Sequence, residues 1–412
     1  MTVKQAIEQM MDSVNVTDLR VGGRVTYPLL PTLFSIIIAW CAGCNSALAA
    51  ADFIHLQKDQ LAKFIPGFGP CGNISHDTIL RLLKLIRFSE LHQFLIDFAT
   101  KIAESSDKND LQVLAMDGQT PCSIIYEPKE GQKSPQDRRT YEHQYYVTLY
   151  DCSNKMDIAQ EDVYAKEYEN KACIRLCSLF SLDGCVVTCD ALNTTRAVAK
   201  AIISQGGDYC LAVKDNKKKL ANEIKASFEN AELLDDQAIY SESPVELGHG
   251  RVENRIVIAL PASCIKARIL GEWAEDARTI FFARTCSHDK KYNLDKEHIV
   301  RYYISSLDFD DPKIAEYGRQ VIRMHWACEN SLHYVLDVTY GQDMMRAKNR
   351  NYVRNAQLLN KIALNTSRVA QEDYRKIDSQ ISIRRLKRIM FAKVDLTCRY
   401  LCKAILNLPS EA

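Results

Sequence analysis

The sequence lacks a net charge that would point to a partner. It has 53 lysines and arginines against 52 aspartates and glutamates, and its formal net charge is +1. It also lacks internal repeats and low-complexity tracts. Hydrophobic residues make up 47% of the chain and charged residues 25%, which is typical of a soluble globular protein. At 412 residues the chain is too long for one ordinary core, so we expect two or three structural units.

A signal-peptide pattern and an uninterrupted membrane span are also missing. The N-terminus MTVKQAIEQMMDSV has no apolar stretch of the kind that signal peptides carry. The apolar run at residues 33–51 is interrupted by Asn45 and Ser46 and has no basic flank, so we expect it to form a buried helix entered at Pro28 and Pro31. These features predict a cytoplasmic protein, associated with the nucleoid if its partner is DNA.

Cysteine is abundant, with 15 residues, but its spacing does not indicate disulfides or zinc. Without a secretory signal, the cysteines are expected to be free thiols in a reducing compartment. Cys41 and Cys44 form a C-x-x-C pair inside an apolar run, and no second pair follows at zinc-finger spacing. Core packing is therefore the preferred interpretation of this pair.

Positive charge is concentrated near the C-terminus. Residues 341–403 contain 15 lysines and arginines against five acidic residues, an excess of ten charges that leaves −9 for the remainder of the chain. A basic segment in a neutral chain indicates a polyanionic partner, although a solvated helical surface would have the same composition.

The pattern of apolar residues divides the chain into five segments. Short apolar runs at residues 111–116, 145–150, 156–164, 185–190 and 208–213 predict strands, and residues 167–180 and 194–205 predict helices between them, as in an α/β layer with one sheet. We predict a helical N-terminal domain (1–108), the first part of an α/β core (109–215), a β-rich insertion (216–306), a returning helix (307–345) and a basic helical segment (346–412). The insertion is expected to pack beside the core without joining its sheet.

Within the returning helix, residues 321–340 carry polar side chains beside an apolar stripe. Asp311 and Pro312 predict its start and Gly341 its end. His325, Glu329, His333 and Asp337 follow one another at four-residue steps, which predicts a polar stripe at the edge of the core. This stripe could bind a metal, with the two histidines and Asp337 forming a zinc or iron site, or it could be a partly solvated face.

Three carboxylates stand at the ends of predicted elements. Asp117 follows the first strand of the core, Asp190 follows the fourth, and Glu329 lies within the helix. Ligand sites in α/β sheets gather at the carboxyl ends of strands, and three oxygen ligands suit Mg²⁺ or Mn²⁺ better than zinc. Two such ions, about 4 Å apart, can support phosphodiester chemistry. Each aspartate alone could be a turn residue.

These residues belong to a longer series of motifs by which the sequence resembles the bacterial insertion-sequence transposases of the ISAs1 group, including the H-repeat-associated proteins. The motifs are Pro28, Ser75-His-Asp-Thr78, Met116-Asp-Gly118, Val187-Thr-Cys-Asp-Ala191, Gly206-Gly-Asp-Tyr209, Lys214-x-Asn216, Gly248-His-Gly-Arg-Val-Glu253, Tyr302-Tyr-Ile-Ser-Ser-Leu307, His325-Trp-x-x-Glu-Asn330, Leu332-His333, Leu336-Asp-Val338 and Ser382-Ile-Arg-Arg-Leu-Lys-Arg388. The resemblance runs nearly from end to end.

The resemblance implies an RNase H-like mixed-sheet core with a DDE active site formed by Asp117, Asp190 and Glu329. These residues are expected to bind Mg²⁺ or Mn²⁺ and to cut and join DNA at the ends of an insertion sequence. The intervals of 73 and 139 residues agree, since related transposases carry a β-rich insertion before the helix with the glutamate. The chain departs from the family at Gln119, where a lysine is common, and within residues 121–123 and 214–217.

Other polar residues are candidates for contacts with double-stranded DNA. This set comprises Lys214, Asn216, His249, Arg251, Arg255, His325, His333, Arg384, Arg385, Lys387 and Arg388. Lys214 and Asn216 could instead form a surface turn, and His249, Arg251 and Arg255 could belong to a plain exposed strand. His325 and His333 are expected to contact the phosphate or to orient Glu329. Trp326 is expected to pack in the core rather than to stack on a base.

The resulting hypothesis is a metal-dependent DDE transposase that works on DNA as a homodimer or a higher oligomer. Two alternatives remain open: a domesticated DNA-binding protein without catalysis, and a metal-dependent phosphoesterase that acts on small substrates. The intact carboxylates disfavour the first, and the basic C-terminal segment would have no purpose in the second.

Overall fold

The computed structural model describes most of the chain. The described residues are 1–23, 25–105, 111–121, 125–126, 142–143, 145–163, 169–248, 251–289, 294–295 and 298–406. The helices are α1 (Val3–Ser13), α2 (Leu29–Cys41), α3 (Ala47–Leu56), α4 (Lys58–Phe64), α5 (His76–Leu85), α6 (Phe88–Ser105), α7 (Glu169–Cys177), α8 (Arg196–Ser204), α9 (Lys218–Glu229), α10 (Ala231–Gln237), α11 (Ala267–Leu270), α12 (Ile314–Ala327), α13 (Arg350–Arg375), α14 (Ile383–Ala392) and α15 (Val394–Leu406). The strands are β1 (Gln112–Gln119), β2 (Ile125–Tyr126), β3 (Glu142–His143), β4 (Tyr145–Asp151), β5 (Met156–Val163), β6 (Cys185–Cys189), β7 (Asp208–Val213), β8 (Ile239–Glu242), β9 (Glu246–Gly248), β10 (Arg251–Pro261), β11 (Thr279–Asp289), β12 (Leu294–Asp295) and β13 (Ile299–Ser305).

One mixed sheet organises the chain. Its strand order is β5-β4-β1-β6-β7-β13-β11-β10-β8, with β12 paired to β11 and β9 paired to β10, while β2 and β3 form a separate antiparallel pair. The pairs β1–β6 and β6–β7 are parallel, and the neighbouring pairs β1–β4, β4–β5 and β7–β13 are antiparallel. The predicted α/β class with an RNase H-like mixed-sheet core is confirmed.

Helices cover both faces of this sheet. Along β1, Val113 and Ala115 face the layer that contains α12 and α13, whereas Leu114 and Met116 face α7 and α8. All five residues of β6 are buried, because a parallel strand between two helical layers has no solvated face.

The strands of segment 216–306 join the sheet that carries Asp117, whereas the sequence predicted that they would pack beside it. β13 pairs with the outer edge of β7, opposing Tyr302 to Val213, and β11 and β10 follow in the same sheet. The expectation of a separate sheet is therefore wrong: pairing with β13 satisfies the backbone groups that β7 would otherwise leave at an open edge. The segment also begins with the two helices α9 and α10, which were not predicted from its β-rich pattern.

The N-terminal and C-terminal helices share one hydrophobic core. α13 packs against α2, α5 and α6, and α15 packs against α1 and α2. The polar residues Asn355, Asn360, Lys361 and Asn365 of α13 are buried, so this helix runs through the interior. The structure does not test the predicted domain boundaries, which stay predictions.

The apolar run at residues 33–51 forms parts of two helices. α2 ends at Cys41, and the hydroxyl of Ser46 accepts the backbone N–H of Ala49 at 3.2 Å as it caps α3. Within the described ranges, no helix is both long enough and apolar enough to cross a bilayer. The 14 cysteines of these ranges are free thiols, as expected, and Cys122 lies outside them.

Candidate active site

Asp117 lies at the carboxyl end of β1, two residues before the strand ends. It opposes Thr148 of β4, so it belongs to the strand and does not follow it as expected. Its Oδ1 accepts the backbone N–H of Gly118 at 2.9 Å, and its Oδ2 lies 3.5 Å from Nδ1 of His333. The side chain is thus held at the edge of the sheet, facing the helix that follows α12.

Asp190 follows the neighbouring strand directly. Cys189 of β6 pairs with Met116 of β1, so the two aspartates occupy equivalent positions on adjacent parallel strands. Oδ1 of Asp190 accepts the backbone N–H of Asn193 at 3.0 Å and its amide Nδ2 at 2.9 Å. These bonds orient the carboxylate above the strand end.

Glu329 lies in a π-helical extension of α12. The residues Cys328–His333 and Val335–Thr339 are both π-helical, and the N–H of Tyr334 bonds to the carbonyl of Glu329. Such wide turns are rare and frequently occur at functional sites. Glu329 is exposed, and Gly341, with a φ of 67°, ends the second segment as predicted.

The wide turns give the four predicted stripe residues different surroundings. His333 faces Asp117, while Nδ1 of His325 lies 3.5 Å from the hydroxyl of Thr188. The two carboxylate oxygens of Asp337 accept hydrogen bonds from the side-chain amide of Gln119, at 3.0 Å each. The structure therefore does not support the alternative of a zinc or iron site formed by both histidines and Asp337.

Negative charge is crowded around Asp117. Burial raises the pKa of its carboxyl to about 7, and the charges of Asp190, Glu329 and Glu169 add to this shift, which the Gly118 N–H opposes. Within the described residues, a set of three possible ligand atoms within 4.8 Å of one another is formed by Asp117, Cys328 and His333 rather than by the three carboxylates.

The two histidines are both neutral at physiological pH. Burial lowers the pKa of His325 to about 4, with Arg301 and Lys214 acting in the same direction and Asp190 opposing them. Burial and the charge of Lys361 lower the pKa of His333 to about 3. Neutral imidazoles can accept or donate a hydrogen bond, which suits the orienting role predicted for them.

Comparison with known proteins assigns this arrangement to a family. Residues 108–366 match the transposase DDE domain, and residues 14–99 match the domain described as DDE_Tnp_1-associated. The chain belongs to the DDE transposase family.

Curated relatives agree with this assignment. The chain is 28% identical over 364 residues to the "Putative transposase YncI" of Escherichia coli O157:H7, covering 88% of each protein. It is also 28% identical over 364 residues to the "H repeat-associated putative transposase YhhI" of Escherichia coli strain K12, covering 87% of this chain and 90% of that one. The predicted resemblance to insertion-sequence transposases is confirmed at the level of the DDE family.

Two residues close to Asp190 were not identified as site residues from the sequence. Glu169, at the start of α7, accepts the amide Nδ2 of Asn193 at 3.3 Å, and Asn193 also bonds to Asp190. The spacing Asp190-x-x-Asn193 is a turn pattern that could have indicated Asn193. Glu169 is distant in sequence from the other carboxylates, and its sequence context did not distinguish it.

Lys214 and Asn216 lie beside the site, in the loop after β7. Lys214 is exposed, and its positive charge contributes to the lowered pKa of His325. The amide of Asn216 donates to the carbonyl of Ala191 at 2.6 Å, so Asn216 holds the loop that follows Asp190. Their contact with DNA stays a prediction.

Arg255 of the insertion is less favourably placed for its predicted contact with DNA. The guanidinium of Arg255 is largely buried and pairs with Glu246 at 2.8 Å and with Glu253 at 2.5 Å, so its charge is already neutralised within the sheet. Arg251 lies in β10, opposite Asp289. His249 lies outside the described residues.

Trp326 is half-buried and is not the core residue expected. The guanidinium of Arg301 lies 4.5 Å from the centroid of its ring, and its neighbour His325 meets the ring edge-on at 6.0 Å between centroids. Trp326 lies near the end of α12, just before the π-helical turn, and is partly exposed there.

The basic residues of α14 divide into two groups. Arg384, Arg385 and Arg388 are exposed, and Arg385 forms an ion pair with Asp378. Lys387 points inward: its ammonium donates to the carbonyl of Thr339 at 2.7 Å and lies 4.2 Å from the ring centroid of Tyr340. Lys387 thus binds the C-terminal end of the second π-helical segment, and its contact with DNA stays a prediction.

Proposed function

We propose that this transposase catalyses metal-dependent cleavage and strand transfer of DNA at the ends of an insertion sequence. The proposal assigns Asp117, Asp190 and Glu329 as the catalytic carboxylates and the ligands of Mg²⁺ or Mn²⁺. The observation that carries it is the placement of Asp117 and Asp190 at equivalent positions of adjacent parallel strands, with Glu329 close enough for its charge to raise the pKa of Asp117.

The donor set fits a hard divalent cation. Three carboxylates supply the oxygen ligands that Mg²⁺ and Mn²⁺ prefer. Burial and the neighbouring negative charges raise the pKa of Asp117, and a bound cation would offset both effects. Divalent-metal chemistry at such a site lowers the pKa of the attacking water and stabilises negative charge on the phosphate.

The surrounding residues would position the DNA and the carboxylates. His333 lies against Asp117, and His325 lies near Asp190, so both neutral imidazoles would orient carboxylates or bond to the scissile phosphate. We assign Lys214 and the exposed arginines of α14 to contacts with the DNA backbone. We further propose that the protein acts in the cytoplasm, in association with the nucleoid, and assembles on DNA as a homodimer or a higher oligomer.

The test is cleavage of a plasmid that carries the reading frame with its native flanking DNA. Asp190→Asn and Glu329→Gln are expected to abolish nicking and joining in Mg²⁺ or Mn²⁺ while DNA affinity stays equal or rises slightly. Glu316→Gln, in the exposed first turn of the same helix, is the matched control and should cut like the wild type.

Three results would contradict the proposal. Wild-type protein that binds this DNA but never nicks it would indicate the domesticated DNA-binding protein. Hydrolysis of p-nitrophenyl phosphate without any action on DNA would indicate the small-substrate phosphoesterase. Unchanged nicking by Glu329→Gln would show that Glu329 is not a catalytic residue.

A further inference from the structure

A fourth carboxylate, that of Glu169, lies behind the three assigned to catalysis. Glu169 begins α7 and is only 6% exposed, while Ala172, Cys173 and Leu176 of the same helix pack into the core. A carboxylate at this depth requires hydrogen bonds to compensate for lost hydration, and its place in the first turn of a helix favours negative charge. The burial of Glu169 therefore points to a defined role.

Asn193 connects Glu169 to Asp190. Its amide Nδ2 donates to Oε2 of Glu169 at 3.3 Å and to Oδ1 of Asp190 at 2.9 Å. Asn193 is fully buried, and its Oδ1 has no hydrogen-bond partner. Leaving this oxygen unpaired is unfavourable, but turning the amide over would bring it against two carboxylates, which would be worse. The pair of carboxylates thus fixes the orientation of the amide.

Glu169 also lies against the residue that follows Asp117. A Cβ built at Gly118 would be 2.8 Å from the Cδ and Oε2 atoms of Glu169, so a side chain at this position would displace that carboxylate. One side chain therefore contacts the end of β1 directly and the end of β6 through Asn193.

We propose that Glu169 is a positioning residue that holds the Asp190 carboxylate in its metal-binding orientation through Asn193. The inference rests on the proposed function, since it assumes that Asp190 binds the cation. Glu169 acts by accepting the Asn193 amide and not by binding the cation itself. Residues that orient metal ligands in this way typically contribute about 10- to 100-fold to metal affinity.

Mn²⁺ binding to the full-length chain, measured by electron paramagnetic resonance of free Mn²⁺, tests this role. Glu169→Ala is expected to weaken binding about 10- to 100-fold. Glu169→Gln should recover most of this loss, because its side-chain carbonyl accepts the same N–H. Glu223→Ala, which removes a helical glutamate paired with Lys266 at 3.1 Å, is the control and should bind Mn²⁺ like the wild type.

The same variants separate positioning from general damage in the nicking assay. Glu169→Ala should raise the Mn²⁺ concentration needed for half-maximal nicking, whereas its rate at saturating Mn²⁺ should approach that of the wild type. Asn193→Ala removes the bridge and keeps Glu169, so it should show the same shift and serves as the test if Glu169→Ala does not fold. The double variant should be little weaker than either single variant, because both remove one connection.

Two outcomes would overturn the inference. Unchanged Mn²⁺ affinity in folded Glu169→Ala or Asn193→Ala would show that Asp190 needs no such support. Equal losses in Glu169→Gln and Glu169→Ala would show that charge matters and not the hydrogen bond. A wild-type protein that neither binds Mn²⁺ nor cuts DNA would instead contradict the proposed function, so the two failures are distinguishable.

Discussion

The ammonium nitrogen of Lys361 lies 2.8 Å from Oδ2 of Asp157, and neither side chain is exposed to solvent. Lys361 also donates to the hydroxyl of Thr148 at 2.9 Å. These contacts join α13 to β5 and β4. The charge of Lys361 also adds to the effect of burial in lowering the pKa of His333. Burial raises the pKa of Asp157 to about 6, and Lys361 opposes that shift.

Lys361→Met should destabilise the fold strongly, because it leaves the Asp157 carboxylate buried without its cation. We expect a loss of about 3–5 kcal/mol in the free energy of unfolding, measured by urea denaturation. Lys376→Met removes an exposed lysine that pairs with Asp373 at 3.3 Å, and it should change this free energy by less than about 1 kcal/mol. Equal effects of the two changes would contradict the structural role of the buried pair.

Arg384 and Arg388 are expected to contact DNA phosphates because both are exposed on α14. Replacing both with glutamine should weaken binding to all DNA sequences and reduce the slope of log K against log salt by up to about 0.9 per lost contact. Lys225→Gln, an exposed lysine of α9, is the control for a general loss of positive charge. An unchanged slope in the arginine variant would exclude this surface from DNA binding.

Lys387 should behave differently from its neighbours. Burial lowers the pKa of its ammonium to about 8, and its hydrogen bond to Thr339 is directed into the protein. Lys387→Met should lower the free energy of unfolding by about 1.5–3 kcal/mol, the range for bonds to charged groups, and leave the salt slope of DNA binding unaltered. If Lys387→Met reduced the salt slope of DNA binding without lowering the stability, Lys387 would instead be a DNA contact.

Gly318 allows α12 to approach the sheet closely. A Cβ at this position would overlap the ring of Phe281 in β11. Gly318→Ala should therefore destabilise the protein by about 1–3 kcal/mol and displace the helix that leads to Glu329. Gly69→Ala, at a site with no atom within 4 Å of the added Cβ, should be nearly neutral. Thermal unfolding of both variants and of the double variant Gly318→Ala/Phe281→Leu would show whether the Phe281 ring is the obstacle.

His92 should make the fold sensitive to acid. Its Nε2 accepts the backbone N–H of Gln160 at 3.0 Å, and burial, with the charges of Lys361 and Arg354, lowers its pKa from 6.5 to about 4. Because the unfolded chain binds this proton more readily, the stabilisation is complete above pH 6.5 and is lost as the pH falls toward 4. The loss amounts to roughly 3 kcal/mol.

Urea unfolding at a series of pH values checks this prediction. His92→Gln keeps a hydrogen-bond acceptor but cannot titrate, so its free energy of unfolding should fall less than that of the wild type between pH 6.5 and 4. Parallel pH dependence in the two proteins would assign the acid sensitivity to other groups.

The sequence alone determined the local elements of the core. The strand at Asp208–Val213 was predicted with the observed limits, because short-range patterns depend on neighbouring residues. The series of motifs that includes Asp117, Asp190 and Glu329 also indicated the family, since motifs and the intervals between them are properties of the chain. Gly341 likewise marked the end of the helical segment that carries Glu329.

Tertiary structure decided the features that depend on residues distant in sequence. The pairing of β13 with β7 joined the insertion to the sheet, because an open strand edge is satisfied by whichever strand packs beside it. The basic C-terminal segment supplied the buried Lys361 and the inward-facing Lys387, since composition does not distinguish a solvated cation from a buried one. Glu169 lies near Asp190 only through the packing of α7 on the sheet, a relationship that no spacing along the chain encodes.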